Sequence, residues 1–161
     1  MKKIIILIII ILLIIIGIIN ISKLKNKNKI SDIKSLHFGY TTGTMINSSV
    51  SYDLNYKDNK YIAIIKPNNI SEEEAITTEI SSKDIEKIIE ILKKYNVQKW
   101  NGFNKHDPDV LDGNSFSISI YFKNNDSIIA SGYMMYPNNY REVKEEFDDI
   151  FLKYYDKDTI K

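Results

Sequence analysis

Residues 115–122 read SFSISIYF: Phe116, Ile118, Ile120 and Phe122 alternate with Ser115, Ser117, Ser119 and Tyr121. A period of two over eight residues is the pattern of a strand with one buried and one polar face. Asn124-Asn125-Asp126 then supplies turn chemistry, and residues 128–135 (IIASGYMM) return as a partner strand, with Gly132 as a candidate bulge. Pro137-Asn138-Asn139 stops that strand. Hairpins of this kind pair antiparallel, so the fold is built around an antiparallel sheet.

The same alternation extends upstream. Leu36, Phe38 and Tyr40 mark one strand; Val50, Tyr52, Leu54 and Tyr56 mark another. Residues 57–60 (KDNK) turn the chain, residues 61–66 (YIAIIK) return, and the β-branched stretch 75–80 (AITTEI) predicts a further strand. Two segments carry a helical period instead. Ser81 and Asp84 have capping-box spacing, and Ile85, Ile88, Ile89 and Leu92 follow at i, i+3, i+4, i+7. Lys93 and Lys94 suit the negative C-terminal end of that helix, and Asn96 a left-handed close. Asn139 and Glu142 repeat the cap spacing before Tyr140, Val143, Phe147, Ile150 and Tyr154. Each helix has one apolar stripe to bury, so both must lie on the same side of the sheet. The expectation is an α+β domain: an antiparallel sheet of about five to six strands with two helices packed on one face.

A different element precedes this domain. Residues 4–19 comprise only Ile, Leu and Gly17, flanked by Lys2, Lys3 and Lys23. As a helix the run spans about 24 Å, close to a hydrocarbon core of about 30 Å once Ile21 and snorkelling lysines extend it. A cleaved signal peptide would need small residues at its cleavage site, and GIINIS at 17–22 lacks them. The segment therefore reads as an uncleaved signal-anchor: residues 1–21 a transmembrane helix in the bilayer through 4–19, residues 22–35 a basic juxtamembrane neck, residues 36–161 one globular domain. Counting lysines on the two flanks slightly favours a cytoplasmic C-terminus. The short basic N-terminus before an immediate apolar run has the form of an export signal, and the domain is cysteine-free. The domain is accordingly placed outside the cytoplasm.

Charge is distributed unevenly. Lys2, Lys3, Lys23, Lys25, Lys27 and Lys29 are the only charged side chains of residues 1–29; of the chain's 22 basic and 21 acidic residues, 16 and 21 remain for the rest. A mildly acidic domain lacks the positive field that nucleic-acid binding requires. The absence of cysteine removes disulfides, thiolate metal sites and cysteine nucleophiles.

No catalytic motif is present, and no catalytic residue or cofactor is assigned. The histidines His37 and His106 are far apart and form no H-x-x-x-H pair, and no serine lies in G-x-S-x-G. GYTTGT at 39–44 lacks the G-K-[ST] ending of a phosphate loop. The densest polar cluster is residues 106–114 (HDPDVLDGN), where Asp107, Asp109 and Asp112 are candidates for a calcium ion, although D-x-D-x-x-D-G is not EF-hand spacing. Their ordinary role is to bond their own backbone in turns. Trp100 and Phe103 are candidate ligand-binding aromatics beside that loop, against the simpler role of plugging the core. Tyr121 and Tyr133 fall on the polar side of their strands and, with the serines there, make a surface suited to sugar or protein contact.

One stretch carries a resemblance. Residues 95–97 (YNV), 99–103 (KWNGF), 110–113 (VLDG), 115–117 (SFS) and 130–132 (ASG), closed by Pro137, Tyr140 and Glu142, resemble an uncharacterised family of extracytoplasmic domains. Those domains occur in lipoproteins and membrane-anchored proteins of low-GC Gram-positive bacteria. The likeness covers about residues 37–155 in layout; it implies a bacterial extracytoplasmic domain and assigns no activity. The lipidated cysteine of the lipoprotein members is missing here. The expected function is a membrane-anchored, non-enzymatic binding or accessory domain whose ligand is an envelope component or another protein. The alternatives are an envelope hydrolase using His106 and the three aspartates, and an inhibitor or immunity-type protein.

Overall fold

The computed structural model describes residues 32–42, 48–67 and 74–159. Seven strands form one sheet: β1 (Ile33–Thr42), β2 (Ser48–Lys57), β3 (Lys60–Lys66), β4 (Ile76–Ile80), β5 (Asn104–His106), β6 (Ser115–Phe122) and β7 (Ser127–Tyr133). Their spatial order is β4-β3-β2-β1-β6-β7-β5. Two helices, α1 (Ser82–Lys94) and α2 (Tyr140–Thr159), complete the α+β domain. Among the described residues no helix is long and apolar enough to cross a membrane. The apolar run at 4–19 lies outside the described residues.

Local chemistry accounts for most of these elements. Asp58 and Asn59 both adopt positive φ (51° and 63°), the geometry of a two-residue turn whose twist matches its strands. Lys57 therefore lies opposite Lys60, and the β2–β3 register follows. Ser81 caps α1, its hydroxyl accepting from the Asp84 N–H, and Asn96 closes the helix region at φ 53°. Asn139 does not take the extended cap conformation that its spacing with Glu142 predicts. It sits at φ 63° and offers its carbonyl to the Val143 N–H.

The sheet differs from expectation in three ways. It has seven strands rather than five or six, and it is mixed, because β5 runs parallel to β7. β5 is three exposed residues with no alternation, drawn into the sheet by the free edge of β7 and by bonds such as Ser131 N–H to Phe103 O (2.9 Å). Gly132 is not a bulge, since it pairs in regular register with Phe116. A Cβ there would land on the Met135 carbonyl oxygen and 2.6 Å from Phe116 Cε1, so close packing explains the glycine. The register shift lies instead at Ile33–Ser35, where β1 begins within the segment read as neck.

One core sits between the sheet and the two helices. Leu36, Phe38, Tyr52, Leu54, Ala63, Ile65, Phe116, Ile118 and Ile120 face Ile85, Ile88, Leu92, Val143, Phe147 and Phe151. Phe147 meets Phe38 edge-on at 5.2 Å, and Phe151 stacks on Tyr52 at 4.6 Å. The opposite face of the sheet is covered by neither helix.

Candidate functional site

The uncovered face is the candidate site, and strand register builds it row by row. His37 lies opposite Asp53 on β2 and Ser119 on β6; Gly39 lies opposite Ser51 and Ser117; Thr41 lies opposite Ser49. Ser131, Ile129 and Tyr133 continue these rows on β7, and Ile64 and Ile62 on β3. The alternation that sends Phe and Ile to the core sends Ser, Thr and His here. The result is a broad, hydroxyl-rich surface with isoleucines towards its flanks.

His37 is its polar hub. Its Nδ1 is 2.8 Å from Asp53 Oδ1 and its Nε2 3.3 Å from Ser117 Oγ. Gly39 makes room for the ring: a Cβ there would approach Nε2 to 3.2 Å and Ser117 Oγ to 3.5 Å. The hydrogen bond to Asp53 raises the His37 pKa above its ordinary value, and partial burial opposes that rise. One row up, Thr41 Oγ1 accepts from the Ser115 N–H at 2.8 Å and contacts Ser115 Oγ at 3.1 Å.

Asp53, His37 and Ser117 are connected in the order of a serine-hydrolase relay. β1 and β6 are interior strands, so the N–H groups beside His37 and Ser117 are spent in the ladder and are not free to bind an oxyanion. Ser117 also sits in mid-strand on an open surface rather than on a sharp turn. The arrangement holds hydroxyl and imidazole groups in fixed positions.

The residues singled out from sequence are divided between this face and elsewhere. Tyr121 stands exposed on the open face opposite Ser35. Tyr133 is also on that face but is engaged: its hydroxyl donates to Leu111 O (2.7 Å) and its ring stacks on His106 at 5.0 Å. Trp100 is buried on the other side of the sheet, its Nε1–H donating to Asn138 O (3.1 Å), and Phe103 packs half-buried against Phe116. These two aromatics belong to the core and do not join Tyr121. Asp107 accepts from the Asp109 N–H at 3.1 Å, a local turn contact. Among the described residues no three His, Asp or Glu side chains converge where a metal ion could sit, so Asp107, Asp109 and Asp112 are not brought together as ligands.

In the sequence His37 offers only half of a histidine pair and Gly39 only part of an incomplete phosphate-loop pattern, and no motif marks Asp53 or Ser117. The signal was present in part: His37 falls on the polar phase of the Leu36/Phe38/Tyr40 alternation, as Ser117 does on β6. The pairing of β1 with β6, eighty residues apart, could not be read locally.

Two further polar clusters serve the architecture. Asp148 on α2 accepts from Tyr52 Oη (2.7 Å), Tyr40 Oη (2.9 Å) and Lys144 Nζ (2.7 Å), fastening the helix to β1 and β2. Burial and the nearby carboxylate push the Tyr52 hydroxyl pKa far above its ordinary value. Asp84 receives Ser81 Oγ (2.6 Å), Tyr154 Oη (2.6 Å) and Lys153, joining the start of α1 to the end of α2. Burial works against its ionisation, but the hydrogen bonds from Lys153, Ser81 and Tyr154 hold the carboxyl well below the usual range. Comparison with known proteins finds no matching family model and no matching curated protein.

Proposed function

We propose that this chain is a single-pass membrane-anchored protein whose domain, outside the cytoplasm, is a non-enzymatic binding or accessory module that works through its uncovered sheet face. The observation that carries the reading is the one-sided sheet. The central strands present a surface of serine, threonine, tyrosine and one Asp-paired histidine, fixed in register by the ladder and covered by neither helix. Preorganised hydroxyls and an exposed tyrosine suit an envelope component or a protein at low ordering cost. The apolar run at 4–19 and its lysines support the anchor, and the resemblance to extracytoplasmic bacterial domains supports the location.

Affinity capture from envelope extract tests this, using the soluble domain (residues 30–161) and a Ser117→Lys/Ser119→Lys variant that crowds the face. The wild type retains a discrete binder and the variant loses it at unchanged melting temperature. Retention by both would remove the open face from the proposal. Protease added to intact cells should digest the domain and leave a membrane stub; full protection would invert the orientation.

A second reading, a hydrolase, is favoured by the Asp53–His37–Ser117 order alone. A fluorophosphonate probe that labels Ser117 in the wild type and not in His37→Ala would support it. No labelling leaves the binding role standing.

A further inference from the structure

The domain has a second surface with a distinct chemistry. Among the described residues seven large apolar side chains are exposed, and four of them, Leu111, Met134, Met135 and Tyr136, lie in two neighbouring segments. Leu111 is 94% exposed, and Met134, Met135 and Tyr136 beside it are 37–38% exposed. Scattered single exposures are normal, but a concentration in one place marks a contact site.

Both segments are held rather than loose. The Met134 N–H donates to Asn114 O (2.9 Å), and the Asn114 N–H approaches Met134 Sδ (3.1 Å). Tyr136 Oη donates to Asn114 O (3.2 Å), and Tyr133 Oη to Leu111 O (2.7 Å). Met134 adopts φ 53°, a left-handed conformation uncommon outside glycine, kept in place by these bonds. Tyr136 is stacked on Tyr140 at the start of α2 (4.6 Å).

Position follows from topology. The chain enters the sheet at Asp32–Ile33, beside Phe122 and Lys123, and α2 brings Tyr154 back to Ser81 at that same end. β7 runs away from this end, and β5 runs parallel to it with His106 opposite Tyr133. Residues 107–114 and 134–136 therefore form the opposite tip, about 30 Å from the entry point for a ten-residue strand.

The tip is also acidic. Asp107, Asp109 and Asp112 lie within it, and residues 107–114 and 134–139 contain no lysine or arginine. Of the flanking cations, Arg141 is paired with Glu145, and Lys105 lies over the Phe103 ring.

We infer that this tip is a docking surface for a protein partner that presents an apolar cleft rimmed by lysine or arginine. Leu111 and Met134 are the anchors that enter the cleft, and the aspartates select its charge. A bilayer fits poorly, because anionic head groups repel the three aspartates. A second copy fits poorly too, because an isologous contact would bring the two sets of aspartates together. The outward direction of the tip rests on the anchor reading proposed above; the surface itself does not depend on the open face.

The test places a photo-crosslinking residue at Leu111 in the full-length chain in its own membranes, with Glu86 on the exposed side of α1 as the control site. The expected result is an adduct with a different protein at 111 and none at 86. Asp109→Lys with Asp112→Lys should reduce that adduct by at least about tenfold, as like charges then face each other. Tyr121→Ala on the open face should leave it unchanged, so failure of the tip and failure of the open face are separable. A lipid adduct, a self-adduct, no adduct at 111, an adduct indifferent to the charge reversals, or one abolished by Tyr121→Ala would each overturn the inference.

Discussion

Removing the Asp148 carboxylate should cost far more than its mid-helix position beside an exposed helix face suggests. Its side chain is only 17% exposed and accepts from Tyr40, Tyr52 and Lys144 at once. Tyr52 is fully buried. In Asp148→Ala the Tyr52 hydroxyl has lost its acceptor, which costs about 1–3 kcal/mol. The Tyr40 hydroxyl loses the same acceptor at about 1 kcal/mol, and Lys144, nearer solvent, contributes less than about 1 kcal/mol. Alanine recovers about 0.5 kcal/mol of helix propensity. The net expectation is a loss of about 2–4 kcal/mol. Tyr52→Phe alone should cost about 1.5 kcal/mol, because the acceptor it leaves is charged but keeps two other donors. In the Asp148→Ala background the same Tyr52→Phe change removes a hydroxyl left with only the Tyr40 hydroxyl beside it, so it should cost clearly less. Urea unfolding of residues 30–161, followed by Trp100 fluorescence, measures all four corners of this cycle. An equal Tyr52→Phe cost in both backgrounds would refute the idea that Asp148 and Tyr52 act as one unit.

Other expectations concern pH and packing. The Asp84 carboxyl is held well below its ordinary pKa, so the stability it contributes is complete above the unfolded value near about 4 and is lost as pH falls through the folded one. Asp84→Asn should cost about 2–3 kcal/mol at pH 7 and flatten that acid limb; an unchanged acid limb would show that the carboxylate is not what fails. His37 is shifted the other way: its pair with Asp53 stabilises fully below the unfolded pKa and the gain disappears as pH rises through the folded value. Comparing wild type with His37→Gln at pH 5 and pH 8.5 should reveal about 0.2–1 kcal/mol at the lower pH and little at the higher, the size expected of a half-exposed pair. Gly132→Ala should cost about 1–3 kcal/mol by overpacking against Met135 O and Phe116, and a neutral result would mean the β7 backbone yields easily there.

The elements with a sustained period were legible in the sequence. Phe116, Ile118 and Ile120 on β6, the turn at Asp58-Asn59, the Ser81 cap and the Ile85–Leu92 stripe each rest on interactions within a few residues of one another. So did the choice of side: once strands alternate and helices carry one stripe, the apolar faces have to meet. Tyr121 was placed on the polar side for the same reason. Tertiary structure decided what depends on distant partners. β5 exists because β7 had a free edge, and Asn104-Lys105-His106 carries no pattern that announces a strand. Trp100 and Phe103 pack inward, the core-plug role their sequence already offered; that Asn138 and Tyr140 meet Trp100 and Phe116 meets both was decided by tertiary structure. His37 became the hub of the open face only when β1 was laid between β2 and β6, bringing Asp53 and Ser117 to its two nitrogens. A single strand specifies which face a side chain takes; its neighbours on that face are specified by strand order, and strand order is set by the burial of the whole core.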